Sequence, residues 1–209
     1  ENQPLVDTII DLSKLRNPAA GWKPLGKVAP ADRTWHFLSF DPLTEKDRLH
    51  PREKKRFRDI ALADNLKGWQ TPGYDDSRWS QGPAPIGIGE CKQGSTFFPN
   101  KSSWGKGEFL VMRTTFDVDA LDYDSYRLSI LARQGFRVFL NGHEIESYGW
   151  WKDMPHYRPI VLGAGQIKHL KTGTNVLAAY GNVEYNKKDQ TPCGQMDLCI
   201  EGLRKSDLK

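Results

Sequence analysis

The side chains best suited to recognition chemistry fall within ten residues of one another: Tyr148, Trp150, Trp151, His156 and Tyr157. Flat aromatic faces suit the CH-rich side of a pyranose ring, and adjacent charged or amide groups suit its hydroxyls. Trp150 and Trp151 are neighbours, so in an extended segment they point to opposite sides and cannot both enter one core. One of them then faces outward or lines a cleft. In the competing packing arrangement, one caps the core and the other rests on the N-terminal segment. Arg133, just before the Gln134-Gly135 break, could join the same site.

Other groups offer weaker chemistry. The stretch Phe97-Phe98-Pro99-Asn100-Lys101-Ser102-Ser103-Trp104-Gly105 could line a groove with its aromatics or fold over an open end of the core. Glu184, Asn186, Asp189 and Gln195 could bind hydroxyls or a structural Ca²⁺, which takes oxygen ligands, but no dedicated metal-loop spacing is present. No cofactor is expected. Glu144 and Glu146 fall on one strand face, about 7 Å apart at strand rise, a separation that a two-carboxylate glycosidase could use. They directly follow a hairpin turn, where exposed glutamates are ordinary. There is no Gly-x-Ser-x-Gly elbow, His-Glu-x-x-His pair or phosphate-cradling glycine loop. Cys91, Cys193 and Cys199 leave one odd thiol whatever pairs, and a Cys91–Cys193 bridge stands beside free buried thiols as an alternative.

The elements that must hold these groups are strands. Glu108–Val118 alternates with period two, placing Leu110, Met112, Thr114, Phe116 and Val118 on one face and Arg113 on the solvent side, where Asp117 or a loop carboxylate could pair with it. Tyr126–Arg133 alternates likewise, with Tyr126, Leu128, Ile130 and Ala132 inward. Phe136–Leu140 runs into Asn141-Gly142, the strongest short-range hairpin signal, and His143–Tyr148 returns. Pro159–Leu162, Val176–Val183 and Gln195–Leu203 complete the strand series, and Thr34–Phe40 is a further β-rich run upstream. The one helix expected starts near Pro51, with Phe57, Ile60 and Ala61 as its apolar stripe. The pattern describes an all-β antiparallel sandwich over residues 66–209, with residues 1–65 as an N-terminal extension carrying one short helix.

Residues 68–89 pack two Trp, one Tyr, three Pro and five Gly into 22 positions, which excludes a helix and suggests a structured cover lying on a sheet. The net charge of +4 equals the excess carried between Glu45 and Arg58, so the remainder of the chain is neutral. A nucleic-acid binder would spread its basic residues over a larger face. No apolar run approaches the ~20 residues of a membrane span.

In order along the chain come Tyr74-Asp75-Asp76-Ser77-Arg78-Trp79, Gly82-Pro83-Ala84-Pro85-Ile86-Gly87-Ile88-Gly89, Arg113–Val118, Val138-Phe139-Leu140-Asn141-Gly142-His143-Glu144 and Gly173–Ala178. This series resembles the galactose-binding-like jelly-roll domains attached to bacterial glycoside hydrolases and other secreted enzymes. The resemblance covers residues 66–203. It implies a jelly-roll sandwich, export from the cell and a glycan or polysaccharide partner held on loops at one end, with other domains of the same polypeptide alongside. The function expected is non-catalytic carbohydrate binding. A structural or protein-interaction module and a β-sandwich hydrolase or lyase are the alternatives.

Overall fold

A computed structural model describes residues 21–49, 58–89, 99–132, 135–149, 157–185 and 189–208. Two β-sheets dominate. One has the order β10-β7-β13-β4-β5: Arg158–Leu162, Ser125–Ala132, Pro192–Leu203, Ile86–Ile88 and Ser102–Ser103. β1 (Trp22–Pro24) and β12 (Glu184–Tyr185) also pair with β13. The other sheet has the order β3-β2-β6-β11-β8-β9: Ser80–Gly82, Trp35–Phe40, Phe109–Val118, Gly173–Asn182, Phe136–Leu140 and His143–Tyr148. The segment read as an extension thus supplies β1 to the first sheet and β2 to the interior of the second.

The core between the sheets follows from strand alternation. Met112 and Leu110 of β6, Leu177 and Ala179 of β11, and Val138 and Leu140 of β8 face Leu128 and Ile130 of β7 and Met196, Leu198 and Ile200 of β13, all buried. A Cβ on Gly181 would stand 2.6 Å from Met196 Sδ, so a larger residue there would force the Met196 side chain to move. The β8–β9 hairpin turns as its Asn-Gly pair predicts, with φ of 51° at Asn141 and 89° at Gly142. The Asn141 side chain also donates to His169 O and accepts from Val176 N, both at 2.8 Å.

The outer face of the six-stranded sheet is a second interior. Residues 41–49, leaving the end of β2, and residues 58–79, leading into β3, lie on this face and bury Leu49, Leu66, Trp69 and Trp79. Beneath them, Phe40, Phe109 and Tyr180 stack in a row across β2, β6 and β11, with centroids 5.8 and 6.0 Å apart at successive steps. Every residue of Phe109–Thr114 is therefore buried. Gly68–Trp79 serves as the cover expected of it, whereas Ser80–Ile88 crosses from one sheet to the other as β3 and β4.

This second interior overturns the placement of Arg113. Its side chain is only 4% exposed, not solvent-facing, and it donates to Tyr74 O at 2.8 Å and Thr71 O at 2.9 Å. Its ion-pair partner is the loop carboxylate Asp76, at 3.2 Å, whereas Asp117 accepts from Thr174 Oγ1 at 2.6 Å. Residues 51–57 of the expected helix lie outside the described residues. From Arg58 to Ala63 there is no helix, because the backbone is engaged by the sheet: Arg58 N donates to Asn182 Oδ1 at 3.3 Å and Arg58 O accepts from Tyr180 Oη at 2.9 Å. The sole α-helical turn among the described residues is α1, Ala164–Ile167.

Candidate functional site

The strands bring several loops to one end of the sandwich. β7 ends at Ala132 and β8 begins at Phe136 on either side of the break. β9 ends at Tyr148, opposite Phe136, and β10 begins at Arg158, opposite Ile130. The ends flanking Arg133 and the aromatic loop thus converge. Arg133, Trp150, Trp151 and His156 themselves lie outside the described residues, as do Phe97, Phe98, Asn186 and Cys91. Tyr148 is 50% exposed and stacks against buried Phe136 with centroids 6.4 Å apart.

Tyr157 lies immediately before β10, and its hydroxyl donates to Asp197 Oδ2 of β13. Burial and the adjacent carboxylate push the Tyr157 phenol far above its usual range, so it stays a neutral donor. Burial likewise pushes the Asp197 carboxyl up to about 6, against the opposing effect of the Tyr157 bond. Beside this pair, Gln195 Nε2 donates to Asn100 Oδ1 at 2.6 Å. Tyr157 is thus an anchor tying the end of the aromatic loop to the seven-stranded sheet.

Other sequence candidates have structural tasks. Trp104 is core, 2% exposed, with Nε1 donating to Gly107 O at 3.0 Å; it lines no groove. Asp189 accepts from Thr191 N at 3.1 Å and from Thr191 Oγ1 at 2.7 Å. Among the described residues, no three His, Cys, Asp or Glu side chains cluster as a metal site requires. Glu144 and Glu146 do not share a face. The pairing of β8 with β9 slips between Val138 and Phe139, which oppose Glu146 and Glu144 respectively. Ile145 is the extra residue, and this bulge sends the two carboxylates opposite ways. Glu144 pairs with Arg137 on the outer face, whereas Glu146 accepts from Ser147 N at 2.9 Å and lies 3.5 Å from Gln166 Nε2 of α1.

Among the described residues, one concavity lies on the covered face of the six-stranded sheet. Its volume is about 480 Å³, within the range of small-molecule sites. The cover makes its walls: the chain descends through Asp59, Ala61 and Leu62, reverses in a short 3₁₀ turn at Asp64–Leu66, and returns through Lys67, Gly68, Trp69 and Gln70. Buried Leu66 pins the turn, and Gly68 adopts a φ of 74° that other residues resist. The sheet makes the floor with Arg137 and Phe139 of β8 and Tyr180 of β11, which alternation and register set on the same side.

Trp69 meets Phe139 edge-on, centroids 5.5 Å apart at 81°, giving the cleft an aromatic base. Its charged rim is centred on Arg137. Nε of Arg137 donates to Glu144 Oε2 at 2.8 Å, Nη2 donates to the same oxygen, and Nη1 donates to Asp59 Oδ2. Burial first, then the Asp59 charge, raise the Tyr180 phenol, so it too stays protonated. Chemically, the cleft joins apolar surface to hydrogen-bonding charged groups, and among the described residues it holds no isolated nucleophile.

The signal for this site was half present in the sequence. Alternation along Phe136-Arg137-Val138-Phe139-Leu140 sets Arg137 and Phe139 on one face, opposite the core residues Phe136, Val138 and Leu140. Nothing local to Asp59 or Gln70 marks either as a wall, since the partners lie far away in the chain.

No protein-family model matches this sequence, and no curated protein does. Solved structures similar in shape include a glycosyl hydrolase family 2 member from Bacteroides cellulosilyticus, at 16% identity and TM-score 0.44, covering 86% of this chain and 20% of that one. A β-glucuronidase from Bacteroides uniformis shows 12% identity and TM-score 0.46 over 88% of this chain and 18% of its own. A β-glucuronidase from Ruminococcus gnavus shows 14% identity and TM-score 0.46 over 88% of this chain and 30% of its own. The chain therefore spans less than a third of the length of each.

Proposed function

We propose that this chain is a non-catalytic carbohydrate-binding module of a larger exported protein, acting beside domains that carry the chemistry. The observation that carries the reading is the cleft over Phe139 and Tyr180, where an aromatic base meets a rim of Arg137 and Asp59, with Glu144 bound to the Arg137 guanidinium. Sugar hydroxyls can both donate to carboxylates and accept from guanidinium N–H groups, while the buried rings of Trp69, Phe139 and Tyr180 back the cleft with apolar surface. The aromatic loop forms a second contact in this reading, through Tyr148, Trp150, Trp151 and His156 with Arg133 beside it, while Tyr157 anchors the end of the loop. The divergence of Glu144 and Glu146 speaks against a two-carboxylate hydrolase built on this pair, because the two cannot flank one glycosidic bond.

The test is retention on a glycan array and in affinity gels cast with soluble polysaccharides. At least one glycan should retard the wild-type chain. Trp150→Ala with Trp151→Ala should abolish the loop contribution while leaving the melting temperature nearly unchanged. A chain that no glycan retards, or turnover of a polysaccharide by the isolated chain, would overturn the reading.

A further inference from the structure

We infer that the cleft selects neutral, diol-bearing sugar units and rejects uronic or sulfated ones, despite the net positive charge of the chain. This rests on the proposed glycan-binding function and specifies its ligand class. Among the described residues, the basic side chains lining the cleft are Lys67 and Arg137, and each is paired with a carboxylate. Lys67 Nζ lies 2.6 Å from Asp64 Oδ1. Arg137 is flanked by two carboxylates, Glu144 on one side and Asp59 on the other, so this trio carries an excess of one negative charge. A ligand carboxylate entering here meets a guanidinium whose charge is already spent and two anions that repel it.

A neutral diol meets matched partners. Asp59 Oδ1 and Glu144 Oε1 accept no hydrogen bond among the described residues, while three of the five Arg137 N–H groups serve the two carboxylates. The Arg137 guanidinium thus joins two acceptors, Asp59 lining the cleft and Glu144 on the other side of the guanidinium. Adjacent sugar hydroxyls can each donate to a carboxylate and accept from the guanidinium, a role that a ligand carboxylate, being acceptor-only, cannot fill. Ala61 and half-buried Leu62 supply the apolar wall for the ring, backed by the buried Trp69–Phe139 pair.

The experiment compares neutral oligosaccharides with their 6-carboxylate counterparts of the same linkage, by calorimetry at neutral pH, on wild type, Asp59→Asn and Glu144→Gln. Wild type should bind the neutral member at least about tenfold more tightly, the scale of one lost charge-assisted hydrogen bond. Asp59→Asn should weaken the neutral sugar and narrow or reverse the preference, and Glu144→Gln should act in the same direction, with melting temperatures confirming intact folds. Tighter binding of the uronate by wild type, or a preference unmoved by either substitution, overturns the inference while leaving glycan binding standing. Absence of any binding by wild type sinks the proposed function and this inference together.

Discussion

Asp76 Oδ2 stands 3.2 Å from Arg113 Nη1, and this ion pair locks the cover to the sheet it crosses. Arg113 projects from β6 into the second interior, where its guanidinium also holds the carbonyls of Thr71 and Tyr74 and lies 5.5 Å from the Tyr74 ring centroid. The other Asp76 oxygen lies 2.9 Å from His36 Nδ1 on β2. One carboxylate therefore serves two strands. Burial lowers the Arg113 pKa and the Asp76 charge restores it in part, so the pair depends on that single counter-ion. Asp76→Ala should destabilise the fold by about 3 kcal/mol, because it leaves a buried cation uncompensated. Urea denaturation checks this, and an unchanged midpoint would remove the clamp from the account.

Gly107 makes a similar demand without any charge. A Cβ there would fall 2.3 Å from Phe40 N and 2.7 Å from Phe40 Cα, all rigid backbone at the end of β2. No side-chain rotation relieves such an overlap. Gly107→Ala should lower stability by about 2 kcal/mol or more through forced backbone displacement. It should also disturb the adjacent Trp104 Nε1 bond to Gly107 O, visible as a shift in tryptophan emission. A variant with wild-type melting and emission would contradict this packing.

How far these relationships were legible depends on sequence distance. Alternation found β6, β7 and the β8–β9 hairpin, because period two is a local signal and Asn141-Gly142 carries its own backbone preference. The Asp75-Asp76-Ser77 turn was also readable: Ser77 N donates to Asp75 Oδ1 at 3.0 Å, and Trp79 beyond it is buried. Arg113 was misjudged because a charged residue opposite an apolar face is ordinarily solvated, and only the cover buries it. Only half of the cleft was legible: alternation sets Arg137 and Phe139 on one face, but its walls come from residues 59–70 and Tyr180 joins the floor from another strand. The bulge at Ile145 broke the assumption that Glu144 and Glu146 share a face. Local rules read the strands well, and the site lies where distant segments meet.

Cys199 gives a chemical probe of the seven-stranded sheet. It is a free thiol, 7% exposed, on β13, and burial pushes its pKa up to about 12. Alkylation requires a thiolate with access to reagent, and both are denied here. Iodoacetamide at pH 8 should leave Cys199 unmodified in the native chain and modify it fully in guanidinium, as read by peptide mass spectrometry. Rapid native labelling would show that this part of β13 opens readily.

The Tyr157–Asp197 anchor makes stability depend on pH in an unusual direction. Asp197 is 8% exposed, and its carboxyl titrates at about 6 in the fold against an ordinary value of 3.8. The folded state therefore holds this proton more tightly than the unfolded chain. Its stabilising effect is complete below about pH 4 and is lost as pH rises through about 6, contrary to the common behaviour of paired carboxylates. Lys101 and Arg33 act to lower the same pKa but do not cancel the effect of burial. Asp197→Asn keeps an oxygen to accept from Tyr157 and removes the titration. Its melting temperature should match wild type near pH 4 and exceed it above pH 7, with the free-energy difference growing to about 3 kcal/mol at most. Because other groups titrate in both proteins, the difference between the two pH profiles is the decisive quantity. A flat difference, or a variant less stable than wild type at pH 7.5, would show that the ionised carboxylate is the form the anchor prefers.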